Sequence, residues 1–202
     1  MRDWQLQRGL RIEHVVKEKD ALLFLAPLAY WMHQERPTGL IKTSEVKARL
    51  MPYLAHSRQV SVENEQIEED IDDFLRWVRE HTGVFVERTT GWYGFMHLTF
   101  EEYFVAREIA RRVKESAEKI YPYRHHPRWH EPIMLAIEFI RTDRPDDASE
   151  LVQTAILGEG EEAGQKSFTA SLFEDVLHRD YCWRFNVLVT AIRLMLLFAS
   201  KL

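Results

Sequence analysis

The sequence predicts a mainly α-helical chain that carries one small β-hairpin. Three observations support this. Apolar residues recur at helical spacing in segment after segment. One pair of short apolar and aromatic runs, Val84-Phe85-Val86 and Tyr93-Gly94-Phe95-Met96, flanks a turn at Thr89-Thr90-Gly91. Beyond residue 99 no alternating strand pattern occurs, only helix-length apolar stretches separated by short polar ones.

Residues 1–19 hold a Trp, a Gly and scattered charges without periodicity, and read as a linker or the tail of a preceding helical domain, as in a chain truncated at its start. From Asp20 to about Gln34, Leu22, Leu25, Ala26, Ala29 and Met32 recur at helical spacing, and Pro27 predicts a bend. A Pro37-Thr38-Gly39 turn and an extended Leu40-Ile41 lead to a second short helix, capped by Thr43 or Ser44 and running toward Pro52. A polar loop is expected from there to about Glu63. Ile67, Ile71, Phe74, Leu75 and Val78 form the clearest helical stripe, and Gly83 stands where a left-handed cap is needed. After the hairpin, Thr99 and Glu102 have the Thr-x-x-Glu spacing of a capping box, with Tyr103, Ala106, Ala110 and Val113 continuing an apolar stripe.

Helix, short strand, helix, helix and hairpin, in that order, is the layout of a winged-helix module. It occupies residues 20–98. Residues 99–202 read as a helical domain, a bundle or helical-repeat region, with helices near Pro132–Ile140, Pro145–Leu157, Ser167–His178 and Arg184–Ser200.

Composition narrows the function classes. The 202 residues are 46% hydrophobic, enough to bury one good core or two small ones. One cysteine, Cys182, excludes an internal disulfide framework, and the absence of a secretory leader points to a cytoplasmic protein. The longest apolar stretches, Ile133 to Ile137 and Leu194 to Ala199, fall far short of the ~20 residues a membrane span needs. A net charge of −5 offers no attraction to nucleic acid or anionic lipid. Within the third helix, Glu68, Glu69, Asp70, Asp72 and Asp73 would set carboxylates against phosphates if that helix entered a DNA groove. A solvated helix face accounts for them.

No catalytic constellation emerges. Gly164-Gln165-Lys166-Ser167 resembles a phosphate-binding loop only superficially, because Gln165 separates the Gly from the Lys-Ser pair and Glu159, Glu161 and Glu162 would repel phosphate. His130-Glu131 begins like a zinc-protease motif, but Met134 stands where the second histidine is required. Neither His125, His126 and His130 nor His178 with Cys182 has the spacing of a structural zinc site. No Gly-x-Ser-x-Gly elbow is present. The expectation is a chain without enzymatic activity, cofactor or metal of its own.

One run is specific. Tyr93-Gly94-Phe95-Met96-His97-Leu98-Thr99-Phe100-Glu101-Glu102-Tyr103-Phe104-Val105-Ala106 resembles the Phe-x-His-x-Thr-Phe-Gln-Glu-Tyr/Phe-x-x-Ala signature of NACHT-family NTPases. In that family the signature joins the winged helix to the following helical domain, the junction reached above from capping and hairpin signals. Leu25-Ala26-x-x-Ala29-Tyr30-Trp31-Met32 is similar to the family's first winged-helix helix, and Val78-Arg79-Glu80-x-x-Gly83 with Val86-Glu87-Arg88 to its lead into the wing. Trp4, Arg8-Gly9-Leu10 and Trp129-x-Glu131 with Leu135-Ala136 also fit bacterial members. Pro27 and the stretch Tyr181 to Val189 depart from the pattern.

The resemblance implies the switch region of a regulatory ATPase whose ATP-binding domain would precede Met1 or lie on another chain. In such proteins the winged helix closes over ADP, and nucleotide exchange opens the molecule for oligomerisation. Bacterial relatives act in defence against phage and animal relatives in innate immunity. His97 stands where the family places a histidine that reaches the β-phosphate of ADP, the cofactor in this reading being ADP or ATP held by the nucleotide-binding partner domain. A second function class stays open: a free-standing interaction module whose helical half binds a protein partner.

Overall fold

The computed structural model describes residues 18–62, 65–111, 113–144 and 146–148. Of the expected linker, residues 1–19, the first seventeen lie outside the described residues while Glu18 and Lys19 are already helical, and the expected helices beyond residue 148 also lie outside. Those described fall into two compact units, one ending at Glu101 and one beginning at Glu102.

Among the described residues, the first unit begins with α1 (Glu18–Glu35). A proline inside a helix costs ~3 kcal/mol or more. A buried Leu, Phe or Met side chain contributes ~1.5–3 kcal/mol. Phe24, Leu25, Leu28 and Met32 are all buried, so burial wins and the helix continues through Pro27. The turn that follows closes through Gly39, whose N–H donates to the Arg36 carbonyl at 2.8 Å and whose φ of +69° suits glycine.

Strand β1 (Ile41–Lys42) then leads directly into α2 (Thr43–Arg58). Two expectations are corrected here. Neither Thr43 nor Ser44 caps α2; Lys42 occupies the cap position, and its backbone N–H donates to Glu45 Oε2 at 3.0 Å. The helix also passes Pro52 and ends at Arg58, because Leu54 and Ala55 beyond the proline are buried with Val46 and Leu50 while Pro52 faces outward. Hence the polar loop is confined to the few residues after Arg58.

Helix α3 (Glu65–Trp77) buries Ile67, Ile71, Phe74 and Leu75 as its spacing requires, and Phe24 meets Phe74 edge-on at 5.3 Å. Its last turn widens into a π-helical segment, Val78–Thr82, closed by Gly83 at φ +64°, whose N–H donates to Val78 O at 2.9 Å. Strands β2 (Phe85–Thr89) and β3 (Trp92–Phe95) form the hairpin. The sheet order is β1-β3-β2, antiparallel throughout, with Ile41 opposite Tyr93, Phe85 opposite Phe95, and a bulge between Glu87 and Thr89. Three helices against a small sheet ending in a two-strand wing is the winged-helix arrangement.

Helix α4 (Leu98–Arg111) starts before Thr99, so Thr99 lies inside the first turn and does not cap it. In the second unit, Tyr103, Phe104, Val105, Ala106, Ile109 and Ala110 of α4 are buried. Helix α5 (Val113–Ile120) follows, and the Val113 side chain, expected to extend this stripe, lies outside what is described. Two 3₁₀ turns, Tyr121–Tyr123 and Pro127–Trp129, lead to α6 (His130–Asp143), buried from Pro132 to Ile140 and apolar there except for Glu138. Tyr103 and Phe139 join α4 to α6 at 5.6 Å, and the Arg144 guanidinium donates to the Ala110 carbonyl at 2.9 Å. Buried Glu138 is tied by the Arg141 fork at 2.6 and 2.8 Å. No helix among the described residues is long and apolar enough to cross a membrane.

Candidate functional site

His97 lies on a two-residue bend between β3 and α4. The bend is held from both sides. Met96 N–H donates to Val84 O at 2.9 Å, which ties the end of the wing to the strand entry. The Arg88 guanidinium donates to Met96 O at 3.2 Å and touches its sulfur at 3.3 Å. On the other side, the His97 carbonyl accepts from the N–H groups of Phe100 at 3.1 Å and Glu101 at 3.5 Å, so His97 occupies the N-cap position of α4. The backbone is therefore fixed by sheet and helix together.

The side chain is outside that framework. The imidazole is exposed, hydrogen-bonds to no group among the described residues, and meets the Phe100 ring edge-on at 5.5 Å. Its neighbours Met96 and Leu98 are also exposed, at 40% and 55%. An imidazole presented at a helix N-terminus, where backbone N–H groups carry partial positive charge, is suited to meeting an anion.

The acidic residues of α3 lie mostly on its outer face, with Glu68, Glu69, Asp72 and Asp73 exposed. Two of the five are engaged by α2, through Lys47 with Asp72 at 2.8 Å and Arg58 with Asp70 at 2.6 Å. The histidines of the second unit serve local geometry: His126 Nδ1 accepts from the Arg128 N–H at 3.2 Å, and His130 Nδ1 stands 3.9 Å from Glu131 Oε1. Among the described residues no group of three or more His, Cys, Asp or Glu is placed to hold a metal ion. The sequence stretch Gly158 to Ser167 and the His178/Cys182 pair lie outside the described residues.

Two features escaped sequence reasoning. Glu45 accepts from the Arg36 guanidinium at 2.6 Å as well as from Lys42 N–H. These bonds hold its carboxyl below the usual glutamate range, the Arg36 bond contributing most. Arg36 and Arg49 also cover the Trp31 ring, at 4.8 and 4.2 Å from its centroid. The second feature is a buried pair, His33 Nδ1 and Glu101 Oε1, 2.7 Å apart and 68 positions apart in sequence. His33 follows Ala26 and Ala29 by seven and four residues, on the apolar face of α1, which was the signal available for it.

A family model described as the winged helix-turn-helix domain C-terminal to NACHT matches residues 4–109. No curated protein and no solved structure matches the chain.

Proposed function

The chain belongs to the family of winged helix-turn-helix domains C-terminal to NACHT, and on that premise we propose that it is the switch region of a nucleotide-gated regulatory ATPase in signalling or defence. It acts with an ATP-binding domain supplied in cis or in trans and hydrolyses nothing by itself. The observation that carries this reading is His97: its backbone is pinned by β3 and α4 while its ring is exposed and makes no hydrogen bond within the described fold. A fold that needed the ring for packing would bury it. In the proposed closed state a ring N–H donates to a phosphate of ADP in the neighbouring domain.

A charge-assisted bond of this kind contributes about 1.5–3 kcal/mol, which favours closure by roughly 10- to 150-fold. ADP shifts the equilibrium only through contacts that differ between closed and open forms, so removing this one raises the open population. His97→Ala, in the chain joined to a NACHT ATP-binding domain, is expected to accelerate ADP release and promote self-association. The melting temperature of the isolated chain should stay nearly unchanged. Unaltered ADP release, or a loss of several kcal/mol in the isolated chain, would make His97 a structural residue and remove the basis of the proposal.

The same reading has no role for nucleic acid. The carboxylates on the outer face of α3 and the net charge of −5 support a protein-facing winged helix. Any further protein partner would dock on the helical half.

A further inference from the structure

The buried pair His33 and Glu101 does a task that neither the apolar core nor the exposed His97 ring accounts for. Both side chains are almost fully inaccessible, at 0% and 3% exposure, so water cannot replace their mutual contact. His33 belongs to the last turn of α1 and Glu101 to the first turn of α4. Their 2.7 Å separation is that of an imidazole N–H donating to a carboxylate oxygen. The other carboxylate oxygen lies against the turn after α1: a Cβ added to Gly39 would stand 3.6 Å from Glu101 Oε2. The carboxylate is thereby held by direction as well as by space. From the same residue, the backbone N–H donates to the His97 carbonyl.

We propose that His33 and Glu101 are positioning residues: their hydrogen bond fixes the rotation of the first turn of α4 on α1 and so sets the direction of the His97 imidazole. The inference rests on the nucleotide-gated reading only for what His97 is aimed at. An apolar pair in the same volume would fill the core equally well, and replacing a buried ion pair by apolar residues is often neutral or stabilising. It would not define an angle. A hydrogen bond does, because its strength falls steeply as donor and acceptor turn out of line.

The distinction is measurable by NMR on the full chain without nucleotide. In the His33→Leu/Glu101→Leu chain, the nuclear Overhauser contacts between the His97 and Phe100 rings are expected to weaken while the fold is kept. Amide exchange at Phe100 and Glu101 should accelerate about 10-fold or more, the order expected when a net hydrogen bond at the first turn of α4 is lost. Should that chain not fold, His33→Asn and His33→Gln decide the matter. Asparagine keeps a donor near the Nδ1 position and is expected to preserve the His97–Phe100 contacts. Glutamine moves the donor to the Nε2 position and is expected to lose them. Unchanged His97–Phe100 contacts in the folded double-leucine chain, or equal behaviour of the Asn and Gln chains, would overturn the inference. Failure of the nucleotide reading looks different: ring order would depend on Glu101 while ADP release from the joined protein ignored His97.

Discussion

Gly94 on β3 tests whether the wing is held as described. A Cβ added there would stand 2.6 Å from the Gly39 carbonyl oxygen and 3.1 Å from Leu40 Cδ2. The leucine methyl can move. The carbonyl cannot do so cheaply, because Gly39 is a backbone turn at positive φ whose N–H is engaged by Arg36 O. Nor can β3 retreat, since it is the central strand and pairs on both edges. Without the clash, Gly→Ala would stabilise by ~0.4–1 kcal/mol through the unfolded chain. Overpacking a tight site costs ~1–3 kcal/mol, and a backbone obstacle places this one near the upper end, at about 3 kcal/mol. For a chain of this size that lowers the melting temperature by roughly 6–12 °C. Urea unfolding of Gly94→Ala, followed by tryptophan emission, measures it. Gly91→Ala is the comparison: φ there is +75° but nothing lies within 4 Å, so only conformational strain of ~1–2 kcal/mol applies. If Gly94→Ala were no more destabilising than Gly91→Ala, the close approach of the α1–β1 turn to the wing would be wrong. The consequence reaches the candidate site, because Gly94 lies three residues before His97, on the strand that leads into its bend.

What was legible in the sequence follows the range of the interactions. The stripe Ile67, Ile71, Phe74, Leu75 was readable because charged residues fill the other faces of α3, leaving one period. Gly83 and Gly91 were readable because each φ > 0 is a local requirement. The start of α4 was misread for the opposite reason. Thr99-x-x-Glu102 satisfies a local capping rule, but the strand ends at Phe95 and Met96 is already committed to Val84, so the helix begins before the threonine. Likewise Pro52 is a sound local stop signal that loses to burial of Leu54 and Ala55. His97 could be singled out from its motif, while its exposure could not. For His33, periodicity placed the imidazole on a buried face, but nothing in the chain pointed to a partner 68 residues away.

Two further outcomes are expected. The chain should not bind duplex DNA, since exposed Glu68, Glu69, Asp72 and Asp73 would meet the phosphates; micromolar, salt-sensitive anisotropy changes that crosslink to α3 would refute this. The last concerns acid. Glu45 has its carboxyl pKa lowered from 4.5 by the Arg36 guanidinium first and the Lys42 N–H second. A carboxylate with a depressed folded-state pKa contributes stability above its unfolded value, and loses it as pH falls through the folded one. The wild-type chain should therefore exceed Glu45→Gln in stability at pH 6–7, by no more than about 1 kcal/mol because the side chain is 31% exposed and screened. Because both bonds lie at the entry to α2, the loss should appear first as faster amide exchange over the first turn of that helix. Below 4.5 the difference should shrink, and it should vanish once Glu45 is protonated, since a neutral carboxyl and an amide then offer similar acceptors. At 1 M salt the neutral-pH difference should fall as well, because the ion pair with Arg36 is partly in solvent. Urea midpoints of the two chains from pH 7 to pH 3 would settle it. A difference that stays constant over that range would mean that Glu45 acts through shape alone, and that the Arg36 pair contributes nothing to the entry of α2.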